Sequence, residues 1–310
     1  MIKRLLFSGL FLSMAVAQGY DLNECIQIAM QGKKTLMSAE LGVSSAEKGL
    51  IGSYSGLLPS LQASTGASRQ QYSDTTTLFN NNYNRLSAGI SLNQTIYDGG
   101  RSLNQISQAK LNLNIAKLNQ RSTKIQVIQN VIKSYYGLLQ SQKLLNVAEK
   151  NLEMSEQQIS LVKKQFDLGV VRKTDFLKAK VSVGQARVDV LNRKANLENA
   201  RRVLFNDMGL QDFGQSITAI DDEWLAATIP TSADIMELLK TRNPSLLVSQ
   251  AQINLGDLNY KISKGLRLPS LNSSVNYSAN GENSEKLMDA IKDDWSLGMN
   301  VTLSVPIYTG

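Results

Sequence analysis

The spacing of apolar residues changes twice along the chain, and each change predicts a different kind of element. Apolar residues first recur at helical spacing over 21–56, which predicts an amphipathic helix. They then alternate with polar residues from Leu86 to Ile96, as in a strand with one buried face. Over 99–206 they recur every seven residues, which is the spacing of a coiled coil. The predicted order is therefore a helix, a strand pair and a long helical hairpin.

This order begins a second time further along the chain. The sequence Leu-Pro-Ser-Leu at 58–61 returns at 268–271, an offset of 268 − 58 = 210. Ile-Tyr-Asp-Gly at 96–99 returns as Ile-Tyr-Thr-Gly at 307–310, an offset of 307 − 96 = 211. Landmarks that keep one register over such a distance indicate an internal duplication, which predicts a pseudo-symmetric fold.

A third pair of segments, 33–36 and 243–246, has the same offset of 243 − 33 = 210. We therefore divide the chain into a first repeat over 18–230 and a second over 231–310. The second copy ends after its strand pair, and we interpret the chain as incomplete at its carboxyl end.

The last predicted strand has the clearest alternation of the four. Its alternate positions Ser296, Asn300 and Thr302 are small and polar, which suits a water-filled lumen. The apolar face of this strand is long enough for a strand that crosses a membrane at a tilt. A strand of a soluble sheet with one buried face would show the same alternation. The residues predicted to face lipid are Trp295, Leu297, Met299, Val301 and Leu303.

Polar stretches separate the strands of each predicted pair. The first strand pair, over 58–97, contains the polar segment 73–82, and the second contains 281–294. Both segments are predicted to be exposed loops between antiparallel strands.

The coiled-coil segment 99–206 is interrupted once. Gly169 can adopt the left-handed conformation that ends a helix, and Thr174 or Asp175 is expected to cap the returning helix. The first arm would reach ~100 Å. A connector over 207–230 follows the hairpin. The seam between the two arms is predicted to use Leu177, Val181, Gly184, Val188, Leu191 and Ala195.

The amino terminus resembles an export signal. Lys3 and Arg4 precede an apolar run and the small residues at 15–17, so we interpret 1–17 as a cleaved signal peptide. The alternative is a retained anchor, but the apolar run is shorter than a spanning helix requires.

The composition gives little sign of chemistry. The chain has no histidine and one cysteine, so the commonest general base and metal ligand are missing, and Cys25 is predicted to pack as a small apolar residue. The formal net charge of +7 is spread along helices, which favours solvated faces over a nucleic-acid site. The acidic run 221–223 could bind a cation, but we interpret it as part of the connector. No catalytic, cofactor-binding or metal-binding residue is predicted, and the chain is not expected to be an enzyme.

Four strands cannot close a membrane barrel, because the smallest closed barrels have eight and an open edge is not tolerated in lipid. Three copies of the chain would supply twelve strands. Their heptad helices would then form a helical tube on the same axis. The predicted fold class is an α+β membrane protein with a trimeric 12-stranded β-barrel continued by a long α-helical coiled-coil barrel.

Four motifs occur in an order and spacing that one family shares. They are Leu-Pro-Ser-Leu at 58–61, Ile-Tyr-Asp-Gly-Gly-Arg at 96–101, Phe-Asp-Leu-Gly at 166–169 and Pro-Ile-Tyr-Thr-Gly at 306–310. In this respect the chain resembles the TolC-like outer-membrane efflux proteins. Thr95 departs from the pattern, because that family usually has proline there.

The resemblance implies a homotrimer in the outer membrane that extends into the periplasm. It also implies a periplasmic adaptor protein and an inner-membrane pump, so the expected function is the exit duct of a tripartite efflux or type I secretion system for small molecules or proteins. Adaptor contact is expected at the hairpin tip, at Gly169, Val170, Val171 and Arg172, although the valines could instead pack the turn. The alternative function is a periplasmic coiled-coil adaptor or scaffold without a membrane barrel.

Overall fold

A computed structural model describes residues 18–70, 83–210, 217–219 and 231–308. The predicted signal peptide 1–17, the loop 73–82 and the acidic run 221–223 lie outside these residues. The described residues form two compact units, one from 18–39 with 120–234 and the other from 40–119 with 235–308.

Helices and strands follow one another in the predicted order. The strands are β1 (Gln18–Tyr20), β2 (Ser60–Gln70), β3 (Tyr83–Tyr97), β4 (Ile217–Ala219), β5 (Ser270–Gly281) and β6 (Trp295–Ser304). The helices are α1 (Leu22–Gly32), α2 (Lys34–Ser53), α3 (Arg101–Asp167), α4 (Lys173–Met208), α5 (Ser232–Arg242), α6 (Pro244–Gly265) and α7 (Ser284–Lys292).

The first unit has a core in which α1 packs against α3 and α4. The Tyr135 hydroxyl donates a hydrogen bond of 3.1 Å to the Tyr20 carbonyl, and β1 pairs in parallel with β4. Cys25 is fully buried in this core, which confirms its predicted packing role. Burial, and then the nearby Glu24 and Asp21 carboxylates, raise the pKa of its thiol to about 11. The buried members of the core are Cys25, Ala29, Leu36, Val127, Val131, Tyr135, Leu138, Leu204, Phe205 and Met208.

The prediction of one continuous helix over 21–56 is wrong. Lys33 is extended, with φ −71° and ψ 115°, and separates α1 from α2. Its ammonium group donates to the Asn206 carbonyl and lies 3.8 Å from the Asp207 carboxylate. Because these partners belong to α4, the break depends on tertiary contacts that no local pattern reveals. A short 3₁₀ turn over Tyr54–Leu57 then ends this helical region.

The second copy has a break in the same register. Asn243 is also extended, with φ −73° and ψ 115°, so the helix predicted to open the second repeat is likewise two helices. Here the cause is local, because the Asn243 side chain accepts from the Ser245 amide at 2.9 Å and Pro244 occupies the first turn of α6. An Asn-Pro pair is a recognisable helix start.

The second unit contains one antiparallel sheet with strand order β2-β3-β5-β6. Each strand pair comes from one copy of the repeat, and the two pairs join between β3 and β5. A bulge between Thr95 and Tyr97 shifts the register at the end of β3.

The prediction of a loop over 281–294 is also wrong, because α7 lies between β5 and β6. The Asn283 side chain caps its first turn by accepting from the Lys286 amide at 2.8 Å. Leu287 and Ala290 recur at helical spacing, and Ala290 is buried. A helix this short is marginal by itself and depends on the sheet that covers its apolar side. Its sequence alone therefore does not predict it.

The predicted hairpin seam of α4 is wrong as well. Leu177, Val181, Val188 and Leu191 are exposed, with Leu191 at 66%, and we call these four residues the outer stripe. Helix α4 carries a second heptad repeat that is shifted by one residue. The side chains of this second repeat are buried or half-buried within the chain. Its members are Phe176, Val183, Val190, Leu197 and Leu204.

Candidate functional site

The sheet of the second unit has one apolar and one polar face. Its register brings Leu92, Val275 and Met299 into line across three strands, and Ile90, Tyr277 and Leu297 likewise. Because side chains alternate across a pleated strand, the positions between them share the other face. That polar face contains Ser64, Gly66, Ser87, Gly89, Ser91, Asn93, Asn272, Ser274, Asn276, Ser278, Ser296, Gly298, Asn300 and Thr302.

The predicted lipid-facing residues of β6 all lie on the apolar face. They are Trp295, Leu297, Met299, Val301 and Leu303, and each is at least half exposed. Thr65, Gln94 and Ser273 interrupt this face with polar groups. Among the described residues, the outer edges of β2 and β6 have no partner strand.

Aromatic residues lie at both ends of the apolar face. Tyr277 and Trp295 form a tilted ring pair 5.5 Å apart near the end where β5 leads to β6. Tyr97 ends β3 at the opposite end and is half exposed. Tyr and Trp at the two limits of an apolar band are typical of membrane strands.

A compact junction joins β3 to α3. The Asp98 carboxylate accepts from the Ser102 amide at 2.8 Å and from its hydroxyl at 2.6 Å, which caps the first turn of the long helix. Burial alone would raise the pKa of Asp98, but these hydrogen bonds and Arg101 outweigh it and hold that pKa below its usual value. Gly99 and Gly100 follow with φ of 71° and 79°.

Alanine at Gly99 is expected to cost far more stability than alanine at Gly100. Both positions require a left-handed backbone, which costs an L residue roughly 1–2 kcal/mol. A Cβ at Gly99 would also lie 2.6 Å from the Gly265 carbonyl oxygen, whereas one at Gly100 meets nothing within 4 Å. Crowding should add about 1–3 kcal/mol at Gly99 alone. Equal losses in the free energy of unfolding of the two variants would contradict this account.

The tip of the hairpin is a Schellman turn. The Gly169 amide donates to the Phe166 carbonyl and the Val170 amide to the Gln165 carbonyl, both at 2.9 Å, and Gly169 has φ 74°. This is the arrangement that closes a helix with a left-handed glycine. The stacked rings of Phe166 and Phe176, 5.6 Å apart, brace the two arms beside the turn.

The tip residues expected to meet an adaptor occupy this turn. Val170 is 72% exposed and Val171 is half-buried, while Arg172 is exposed. Arg172 is the N-cap of α4 and makes no side-chain cap hydrogen bond, so the prediction that Thr174 or Asp175 caps this helix is wrong. Asp175 instead lies in the first turn of α4, where its negative charge interacts favourably with the helix dipole.

A shallow apolar groove continues from the tip along α4. It contains Leu177 and Val181 of the outer stripe, with Thr174, Lys178, Ser182 and Gln185 beside them. In the part of the chain that the structure describes, no group of three or more acidic, His or Cys side chains could hold a metal ion. None of the helices described is both long and apolar enough to cross a membrane.

A comparison with protein-family sequence models identifies one family. A sequence model described as outer membrane efflux protein matches residues 25–210, which is more than half of the chain. No curated protein matches the sequence.

Solved structures with the same fold are remote in sequence. CusC, described in connection with transmembrane channel formation, is 20% identical with a TM-score of 0.78, over 93% of this chain and 66% of its own. The outer membrane channel CmeC of Campylobacter jejuni is 18% identical with a TM-score of 0.78, and the match covers 93% of this chain and 61% of CmeC. The outer membrane protein VceC of Vibrio cholerae is 14% identical with a TM-score of 0.76, and the match covers 93% of this chain and 69% of VceC. The chain therefore spans slightly less than two thirds of CusC and CmeC.

Proposed function

Because the chain belongs to the outer membrane efflux protein family, we propose that the protein is a passive exit duct for export across the outer membrane. Family membership confirms the resemblance predicted from the sequence and the expected location in the outer membrane, reaching into the periplasm. The proposed setting is a tripartite efflux or type I secretion system with an inner-membrane pump and a periplasmic adaptor.

The four-stranded sheet is the observation that carries this proposal. Its apolar face extends across β3, β5 and β6 with polar interruptions at Gln94 and Ser273, and its opposite face consists mainly of Ser, Asn, Thr and Gly. A sheet with these two faces suits a wall between lipid and water. Its two outer edges would be exposed in a single chain, and an unpaired edge is not tolerated in lipid.

Three copies would satisfy these edges. The β6 edge of one copy would pair with the β2 edge of the next, which gives a closed barrel of twelve strands. The outer stripe of α4 supports the same assembly, because its four apolar residues are uncovered within one chain and repeat at the spacing of a coiled-coil seam. The helices would then continue the barrel as a tube into the periplasm.

The hairpin tip is the proposed contact with the adaptor. Gly169 provides the turn, Val170 and Val171 the apolar contact, and Arg172 a positive charge beside them. The stacked pair of Phe166 and Phe176 already braces the arms, so the exposed Val170 is not required to close the turn. An exposed apolar side chain at such a position favours a role in recognition.

The assembly is tested by measuring the mass of the full-length protein, purified in detergent and corrected for bound detergent. We expect about three times the mass of one chain, and discrete ion conductance once the protein is placed in a planar bilayer. A stable monomer without conductance would contradict the proposal. Release from the cell envelope without detergent would instead favour the periplasmic scaffold.

A further inference from the structure

Helix α7 packs on the apolar face of the sheet and not on the polar face. The Tyr277 hydroxyl donates a hydrogen bond of 2.7 Å to the Ile291 carbonyl, and Ala279 is only 1% exposed. A Cβ at Gly281 would lie 2.3 Å from the Leu287 amide nitrogen. These three strand residues alternate along β5 in phase with Val275, so all of them share the apolar face.

The sheet covers only part of the apolar surface of α7. Leu287 and Ala290 face the strands, and Ala290 is buried. Met288 and Ile291, three residues apart, form a second apolar stripe beside them. Met288 is 59% exposed and Ile291 37% exposed, so the described residues leave this stripe partly uncovered, most of all at Met288. A helix that only had to sit on a sheet would need one stripe.

The position of α7 along the strands matches the edge of a membrane. It lies beside the Tyr277 and Trp295 ring pair, and such aromatic residues concentrate at membrane interfaces. From Trp295 to Leu303 the strand covers about 27 Å at ~3.4 Å per residue, or roughly 20 Å along the membrane normal at a tilt of ~40°. That is close to the ~25 Å apolar band of membrane barrels.

The charges around α7 do not favour attraction to anionic lipid. Two lysines are outnumbered by five acidic residues between 282 and 294, and Lys286 is paired with Glu282 at 2.5 Å. Membrane contact by this helix therefore has to rest on its apolar side chains. The acidic residues are Glu282, Glu285, Asp289, Asp293 and Asp294.

We propose that α7 is an interfacial helix, which lies on the outside of the barrel and inserts Met288 and Ile291 among the lipids at the boundary between headgroups and acyl chains. The partner is the lipid of the outer leaflet, and the contact depends on apolar burial. This proposal rests on the proposed function, because the apolar face of the sheet must itself face lipid. Helices of this kind lie roughly 5–10 Å into the boundary region.

Site-directed fluorescence tests the location of this helix. A cysteine-reactive, polarity-sensitive dye is attached to Met288→Cys, to Asp289→Cys as the matched control on the polar side of α7, and to Met299→Cys on β6. Cys25 is fully buried, so the unaltered protein should remain unlabelled. Each labelled protein is reconstituted into phosphatidylcholine vesicles that carry a nitroxide quencher either near the headgroup or deep in the acyl chain.

We expect the dye at Met288→Cys to be quenched by the shallow nitroxide at least about twofold more strongly than the dye at Asp289→Cys. The dye at Met299→Cys should respond more to the deep nitroxide. Aqueous iodide should quench the Asp289→Cys dye most.

The outcomes separate this proposal from the one it rests on. If lipid quenchers quench the dye at Met299→Cys while only iodide quenches the dye at Met288→Cys, the sheet is in the membrane but the proposal of an interfacial helix is wrong. If neither lipid nor iodide reaches Met288→Cys, protein covers the helix and the proposal is again wrong. If no lipid quencher reaches Met299→Cys, the membrane sheet itself is wrong and α7 has no membrane edge to occupy.

Discussion

Arginine at Val301 is expected to weaken the folded protein by roughly 2–4 kcal/mol, which is the cost of an arginine near the middle of the bilayer on the lipid side of a barrel. Val301 lies in the second half of β6 on the apolar face, paired with Ser273 of β5. Its side chain is 70% exposed within one chain, so lipid would be its main environment in the proposed barrel. The free energy of unfolding in lipid vesicles, measured by denaturant titration, gives the loss.

Asn300 is the matched control, because it is the next residue of the same strand and lies on the polar face opposite Ser274. Arginine there would extend into the proposed lumen, where water remains available, so its cost should be small. If the two arginine variants are equally stable, the assignment of the two faces to lipid and lumen is incorrect.

Two glutamates at the hairpin tip are expected to abolish export while leaving the channel assembled. In the variant Val170→Glu with Val171→Glu, both carboxylates would have to be desolvated at an apolar interface. The turn itself should survive, because its hydrogen bonds come from the backbone and the rings of Phe166 and Phe176 brace it. The measurements are trimer mass, outer-membrane insertion, crosslinking to the adaptor and export of a fluorescent substrate.

The charge added by these glutamates needs its own control. Gln157→Glu with Gln158→Glu adds the same two charges to exposed positions of α3, about 15 Å from the tip at 1.5 Å per residue. This variant should export normally. Export at the level of the unaltered protein with both tip valines replaced would show that the adaptor docks elsewhere.

Strand positions and their two faces could be read from the sequence because membrane-type strands obey a strict period of two. Leu297, Val301 and the polar residues between them lie where the alternation places them. The duplicated landmarks at 33–36 and 243–246 aligned the two copies correctly, since the break at Lys33 recurs at Asn243 with nearly identical backbone angles, although neither break was predicted. Short-range geometry and repetition are the features that a linear pattern records well.

The errors share a different origin. The sequence of α4 carries two adjacent heptads, and a pattern alone does not say whether the stripe with Leu177 or the one with Val183 faces α3. That choice depends on which side of the helix the partner occupies. In the same way, α7 becomes a helix only where the sheet covers Ala290, and polar flanking residues make it look like a loop. Tertiary neighbours decide both cases.

The paired breaks at Lys33 and Asn243 also imply an order of folding. The bend at Asn243 is fixed by groups within three residues of it, so it can form without contacts from the rest of the chain. The bend at Lys33 is held by Asn206, 173 residues away in sequence, and closing so long a loop comes late because its entropy must be lost first. We therefore expect the two bends to reach the same backbone angles at different stages of folding. The bend at Lys33 is expected to form only after α4, which carries its long-range partners, has packed against α1.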